Sequence, residues 1–237
     1  MKKRLKKIMI AIICLFLLIV GGFYIWTQIY YKATAEAFSL VQETEDNYLI
    51  FGAEDATTGF IFYPGAKVEA EAYSYLGAAL DQEDYFVVIP KMPLKLALLG
   101  INEAQHIMDQ YNQVENWFVG GHSLGGAMVS RFAYLHQELI EGIIFLASYP
   151  ADDLSQSNIP ILSIYGELDG LATLEKMSEK NQLLSNDSTL FMIEGGNHAN
   201  FGMYGSQKGD YEALISNEDQ RHQTLEVILN WLKERGY

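Results

Sequence analysis

Apolar positions are distributed along this chain in two ways. From Ile8 to Trp26 they form one uncharged run of 19 residues, IMIAIICLFLLIVGGFYIW. Past residue 47 they come in short runs separated by longer stretches with helical spacing. The short runs predict strands at 48–51, 59–63, 85–89, 117–120, 142–147, 160–165 and 189–193. These are rich in Val, Ile, Phe and Tyr, and several are apolar throughout, as in strands covered on both faces. Helical patterns fill 69–82, 95–111, 125–137, 171–184 and 219–235, the last with Leu225, Ile228, Leu229 and Leu232 on one face. Strand alternating with helix predicts an α/β fold: a mostly parallel sheet, right-handed crossovers, and helices on both faces. Such sheets bind ligands at the carboxyl ends of their strands, so chemistry is expected in the loops that follow strands.

The long run would extend roughly 29 Å as a helix, about the hydrocarbon thickness of a bilayer. Trp26, Tyr30 and Tyr31 stand at its far end, where interfacial aromatics sit. Lys2, Lys3, Arg4, Lys6 and Lys7 precede it. The positive-inside rule then places the N-terminus in the cytoplasm and the body outside. A cleaved signal is the competing expectation, because Ala33-Thr34-Ala35 has the small-x-small form of a cleavage site. That would release a secreted body near Ala35. Cys14 reads as an apolar side chain of the span, since Ile13 stands where a lipoprotein site wants a small residue. The expected organisation is a basic tag and anchor at 1–31, a tether at 32–46 and one domain at 47–237.

Charge sharpens that division. The net formal charge is −14, but residues 36–237 carry 10 bases against 30 acids, whereas the head is wholly basic. An acidic body argues against a nucleic-acid partner, which needs a basic face to displace counterions. The single Cys excludes an internal disulfide framework and a Cys-based zinc cluster.

The most specific chemical signal follows the strand at 117–120. Gly121-His122-Ser123-Leu124-Gly125-Gly126 matches G-x-S-x-G between a predicted strand and a predicted helix. That spacing puts a serine Oγ on a tight, strained turn, with the backbone N–H of Leu124 facing a developing oxyanion. A serine needs a base, and the base an orienting carboxylate. Asp169, in Gly166-Glu167-Leu168-Asp169-Gly170 after the strand at 160–165, is the expected acid. Glu167 is the local rival; Asp152 and Asp153 are distant ones. His198, in Gly195-Gly196-Asn197-His198 after the last strand, is the expected base. Of the remaining histidines, His122 lies inside the elbow, and His106, His136 and His222 fall in predicted helices. The loop Tyr63-Pro64-Gly65-Ala66-Lys67 is expected to supply a second oxyanion donor, the N–H of Ala66 or of Lys67.

Taken together, GHSLGG, the GELDG turn and GGNHANFG, in that order, resemble the α/β-hydrolase superfamily across about residues 47–236. The segments Phe62-Tyr63-Pro64-Gly65-Ala66-Lys67-Val68 and Asn197-His198 through Phe201-Gly202, Tyr204-Gly205, Gln207, Gly209 and Asp210 resemble a compact bacterial group akin to the dienelactone-hydrolase branch. Dienelactone hydrolases proper carry a cysteine nucleophile where this chain has Ser123, so dienelactone hydrolysis is not implied. The resemblance implies a serine hydrolase acting on a small ester-type substrate through an acyl-enzyme, with no metal or organic cofactor. Thioesterase or acyltransferase chemistry on the same triad stays open. So does a non-catalytic binding module, as does the oligomeric state. Only 12 residues, 148–159, separate two central strands, which leaves no room for a large helical lid. The aromatic loop 200–218 reads either as a pocket wall or as packing over the last helix.

Overall fold

The computed structural model describes residues 2–45 and 47–237; Met1 and residue 46, the last position of the expected tether, lie outside them. The chain divides into two compact units, 1–30 and 31–237. The first is a single helix, α1 (Lys2–Thr27). Within its span Lys3–Thr27, an 18-residue window has mean hydropathy 2.9, and the helix is long and apolar enough to cross a membrane.

The second unit opens with α2 (Ala35–Ser39) and β1 (Glu43–Glu45), followed by β2 (Tyr48–Phe51) and β3 (Thr58–Tyr63). Then come α3 (Ser74–Asp81), β4 (Phe86–Pro90), α4 (Glu103–Gln110), β5 (Asn116–His122) and α5 (Leu124–Leu135). The chain closes with β6 (Gly142–Leu146), β7 (Ile161–Gly166), α6 (Leu174–Lys180), β8 (Ser188–Ile193) and α7 (Asn217–Glu234). The strands form one sheet in the order β1-β2-β4-β3-β5-β6-β7-β8. β1 and β2 pair antiparallel with their neighbours; every other pairing is parallel.

Alternation along the central strands explains why they are almost wholly apolar. In β3, Phe60 and Phe62 pack into the core under α3 and α7, whereas Ile61 and Tyr63 point into the core under α4 and α5. β6 does the same, with Ile144 and Leu146 on one face and Ile143 and Phe145 on the other. Burying both faces removes the apolar–polar alternation that a half-exposed strand would show.

Several elements differ from the sequence expectation. The helix expected at 95–111 is two 3-10 turns, Pro93–Lys95 and Ala97–Leu99, with α4 starting only at Glu103. Leu94 and Lys95 have φ of 51° and 58°, which no helix accommodates. The bend lets the Lys95 carbonyl accept the Lys67 N–H at 2.8 Å, tying two loops at the carboxyl edge of the sheet. β1 (ETE) escapes notice as a strand because it is an exposed edge with no buried side chain. Tyr31, read as the end of the anchor segment, and residues 32–45 of the stretch read as a tether are bonded to the body. Tyr31 N–H donates to the Lys67 carbonyl (2.7 Å), Ala33 N–H to Glu69 (2.9 Å) and Thr34 N–H to the Met203 carbonyl (2.8 Å), and Ala37 is fully buried.

Candidate active site

β5 runs through the sheet centre and ends directly in α5, so the single residue between them must turn the chain. Ser123 does so at φ 53° and ψ −123°. A non-glycine there stores about 1–3 kcal/mol of strain, held by surrounding structure. The restraints are visible: Ser123 N–H donates to the Leu146 carbonyl (3.0 Å) and its carbonyl accepts Ser148 Oγ (2.7 Å). Glycine is required on both sides. A Cβ on Gly121 would come within 2.5 Å of the Gly125 backbone, and one on Gly125 would run into the Tyr63 and Pro64 carbonyls.

The loops that carry Asp169 and His198 follow β7 and β8, neighbours in the sheet, so they emerge side by side. Asp169 is wedged by its own turn: Oδ1 accepts the N–H groups of Leu171 (2.8 Å) and Ala172 (2.6 Å). That leaves Oδ2 for His198 Nδ1, at 2.8 Å, with both side chains buried. A carboxylate at Nδ1 fixes the tautomer that carries its proton there and leaves Nε2 as the basic nitrogen. Among the described residues His198 Nε2 has no hydrogen-bond partner although it is buried. His198 and Ser123 line the same cleft of about 250 Å3, with Leu124, Ala147, Tyr149 and Leu171.

The rival acids are occupied elsewhere. Glu167 accepts Gly195 N–H (2.8 Å), Asp152 pairs with Arg131 (2.9 Å), and Asp153 accepts Ser155 N–H (2.9 Å). Of the other histidines, His106 and His222 are exposed and His136 stacks on Phe132 with ring centroids 4.7 Å apart.

The two loops expected to supply oxyanion donors have a clear backbone pattern. Leu124 opens α5, where the first N–H groups have no acceptor within the helix. In the loop after β3, Gly65 N–H donates to Tyr73 Oη (3.1 Å) and Lys67 N–H to the Lys95 carbonyl. The intervening Ala66 N–H is uncommitted among the described residues, which favours Ala66 over Lys67. Ala66 does not itself line the cleft.

Sequence reasoning assigned no role to Tyr73. Its hydroxyl donates to His122 Nδ1 (2.8 Å) while accepting Gly65 N–H, and His122 Nε2 donates to the His198 carbonyl (3.1 Å). The carbonyl fixes the directions: Nε2 carries the proton, so Nδ1 is the acceptor. Burial, with His198 alongside, holds His122 well below the ordinary histidine range, and burial pushes the Tyr73 phenol up. Both therefore stay neutral, as this chain of bonds requires. No sequence spacing links Tyr73 to His122. The loop 200–218 resolves in favour of packing. Phe201, Met203 and Tyr204 are buried in the core, and none of them lines the Ser123 cleft. A larger cleft of about 680 Å3, bordered by Ile140, Pro160 and Arg235, lies at the amino ends of β6 and β7, away from Ser123.

With this geometry in place, comparison is informative. The model of the "Alpha/beta hydrolase family" matches residues 59–222, more than half of the chain. The chain belongs to that family. As an α/β hydrolase it is similar in structure to MGS-MChE2, an alpha/beta hydrolase enzyme from a sediment metagenome of the lagoon of Mar Chica, Morocco. The TM-score is 0.65 at 18% identity, covering 83% of this chain and 98% of that one. It is also similar to the Paleococcus ferrophilus monoacylglycerol lipase (TM-score 0.61, 14% identity, 79% and 99% covered). A third is a Bacillus anthracis bromoperoxidase (TM-score 0.61, 14% identity, 78% and 94% covered). At such identities the likeness is one of fold. No functionally curated protein matches the chain.

Proposed function

We propose that this α/β hydrolase is a membrane-anchored serine esterase. The observation that carries the reading is the placement of the His198 Nε2. It is buried and unpartnered in the cleft that Ser123 lines, while Nδ1 is held by Asp169. A buried polar atom without a partner costs roughly 1–3 kcal/mol, so an orphan beside a strained serine is best explained by a proton it must accept.

In this mechanism Ser123 Oγ attacks the carbonyl carbon of an ester while His198 Nε2 takes its proton. The N–H groups of Leu124 and Ala66 hold the oxyanion. Asp169 stabilises the imidazolium, which then protonates the leaving alkoxide. Water attacks the acyl-enzyme with His198 again as base, and Ser123 is regenerated. A cleft of about 250 Å3 lies below the ~300–1,000 Å3 of drug-sized pockets, which favours a short acyl group. The acidic body disfavours polyanionic substrates, so a small neutral or cationic ester fits best. The similar monoacylglycerol lipase also acts on an acyl ester by its name. Helix α1 with its basic flank supports an uncleaved anchor with the body outside the cytoplasm.

A fluorophosphonate probe tests the reaction. Labelling of Ser123 in the folded protein, abolished by Ser123→Ala, is expected. A folded protein that stays unlabelled is a binding module instead. A panel of p-nitrophenyl esters beside acyl-CoA thioesters separates esterase from thioesterase, and alcohol acceptors report acyl transfer.

A further inference from the structure

One carboxylate outside the cleft joins the acid loop to the base loop. Asp210 accepts four backbone N–H groups. Oδ1 takes those of Gly170 (3.0 Å), His198 (3.3 Å) and Tyr211 (3.0 Å), and Oδ2 takes that of Ala199 (2.8 Å). Gly170 follows Asp169 directly, so the two loops that carry the Asp169–His198 pair meet at this group. The approach is close: a Cβ on Gly170 would come within 2.5 Å of the Gly209 carbonyl oxygen and 3.0 Å of Asp210 Cα. Asp210 does not line the Ser123 cleft; it borders a separate cleft with Asn197 and Asn217.

We propose that Asp210 is a positioning residue for the base: its carboxylate locks the loops 169–172 and 197–199 together. The proposal rests on the serine-hydrolase reading above. Hydrogen bonds to an ionised acceptor are about twice as strong as neutral ones, so a carboxylate clamps four N–H groups as an amide cannot. Its Oδ1 also lies within hydrogen-bond distance of the His198 main-chain N–H.

Other titratable groups also lie around His198. Asp169 sits on Nδ1, and Glu167 holds Gly195 N–H three residues upstream. The His122 ring is 4.5 Å away but kept neutral by burial. Tyr73 and Tyr204 pack around His122, and burial holds both phenols above their ordinary range.

The test is steady-state hydrolysis of a p-nitrophenyl ester by the full-length wild-type protein, Asp210→Asn and Asp210→Glu. Asp210→Asn leaves one neutral acceptor oxygen where the carboxylate held four N–H groups, so the base loop loosens. A kcat loss on the order of 10-fold or more is expected, with KM little changed. Asp210→Glu keeps the carboxylate but displaces it, so kcat falls there too. Wild-type kcat in Asp210→Asn overturns the proposal, as does a loss that lies in KM rather than kcat. Should Asp210→Asn not fold, Asp210→Glu decides: wild-type kcat overturns the proposal, and reduced kcat with wild-type KM supports it. Fluorophosphonate labelling of the wild type separates the two levels. No labelling defeats the hydrolase reading itself; labelling with wild-type kcat in the variants defeats the role of Asp210 alone.

Discussion

His122 Nε2 donates to the main-chain carbonyl of His198 across 3.1 Å, so the residue before the serine supports the base from behind. Because Tyr73 completes the chain of bonds to Gly65, one buried hydroxyl links the oxyanion loop, the elbow and the base. Tyr73→Phe would strand the Gly65 N–H and His122 Nδ1. The expected result is a stability loss of about 1–3 kcal/mol, read by denaturant unfolding, together with a lower kcat.

The same histidine makes stability pH-dependent. Its folded pKa lies below the ordinary value, so near pH ~6.5 the unfolded chain takes up a proton that the folded protein refuses. Below that pH the unfolded state binds more protons and stability falls, at up to ~1.4 kcal/mol per pH unit, until the folded pKa is reached. Unfolding free energies between pH 7 and pH 5 should therefore fall less steeply in His122→Gln than in the wild type.

The two acids of the GELDG turn should behave differently. Asp169→Asn leaves His198 without its orienting carboxylate and should lower kcat by roughly 10³- to 10⁴-fold with little change in melting temperature. Glu167→Gln keeps an oxygen for Gly195 N–H and should leave the rate nearly unchanged. Steady-state kinetics on one ester decide both.

Acyl length should be limited by the cleft. Acetyl and butyryl esters are expected to turn over fastest and decanoyl esters slowest. Tyr149→Ala, which removes a bulky lining residue, should shift that preference toward longer chains.

Bonds made by Tyr31, Ala33 and Thr34 bear on the N-terminal processing. Cleavage after Ala35 would delete a parallel bridge between Tyr31 and Val68, the bond to Glu69 and the cap on α2. A soluble form beginning at residue 36 should melt several degrees below one beginning at residue 31, about what the loss of 1–2 kcal/mol produces. Retention of the full-length chain in membranes after a carbonate wash checks the anchor itself.

Much of the fold was legible because its signals are local. The central strands GFIFY and GIIFL are apolar since both faces are covered, and the run 8–26 is helical over its full length. The elbow was legible because its motif is a short local spacing: Gly121 answers to the Gly125 backbone four residues on, although Gly125 itself meets the distant Tyr63 and Pro64 carbonyls. Less legible were elements whose pattern is set by distant partners. The 95–111 stretch has helical spacing, yet its start is bent to meet the loop after β3. The 200–218 loop is aromatic because it fills the core beneath His122.

By itself, the sequence determined the order of elements, the serine on its turn, and the loops after later strands that carry Asp169 and His198. Those depend on side-chain type and on spacing within one segment. The tertiary structure decided which neighbour each group faces: Asp169 rather than Glu167 on His198, Tyr73 behind His122, and Asp210 across two loops. The physical reason is that these choices are made by hydrogen bonds between segments tens of residues apart, most of them to backbone groups. Every residue carries the same N–H and carbonyl, so no pattern in the chain marks which of them will be bound.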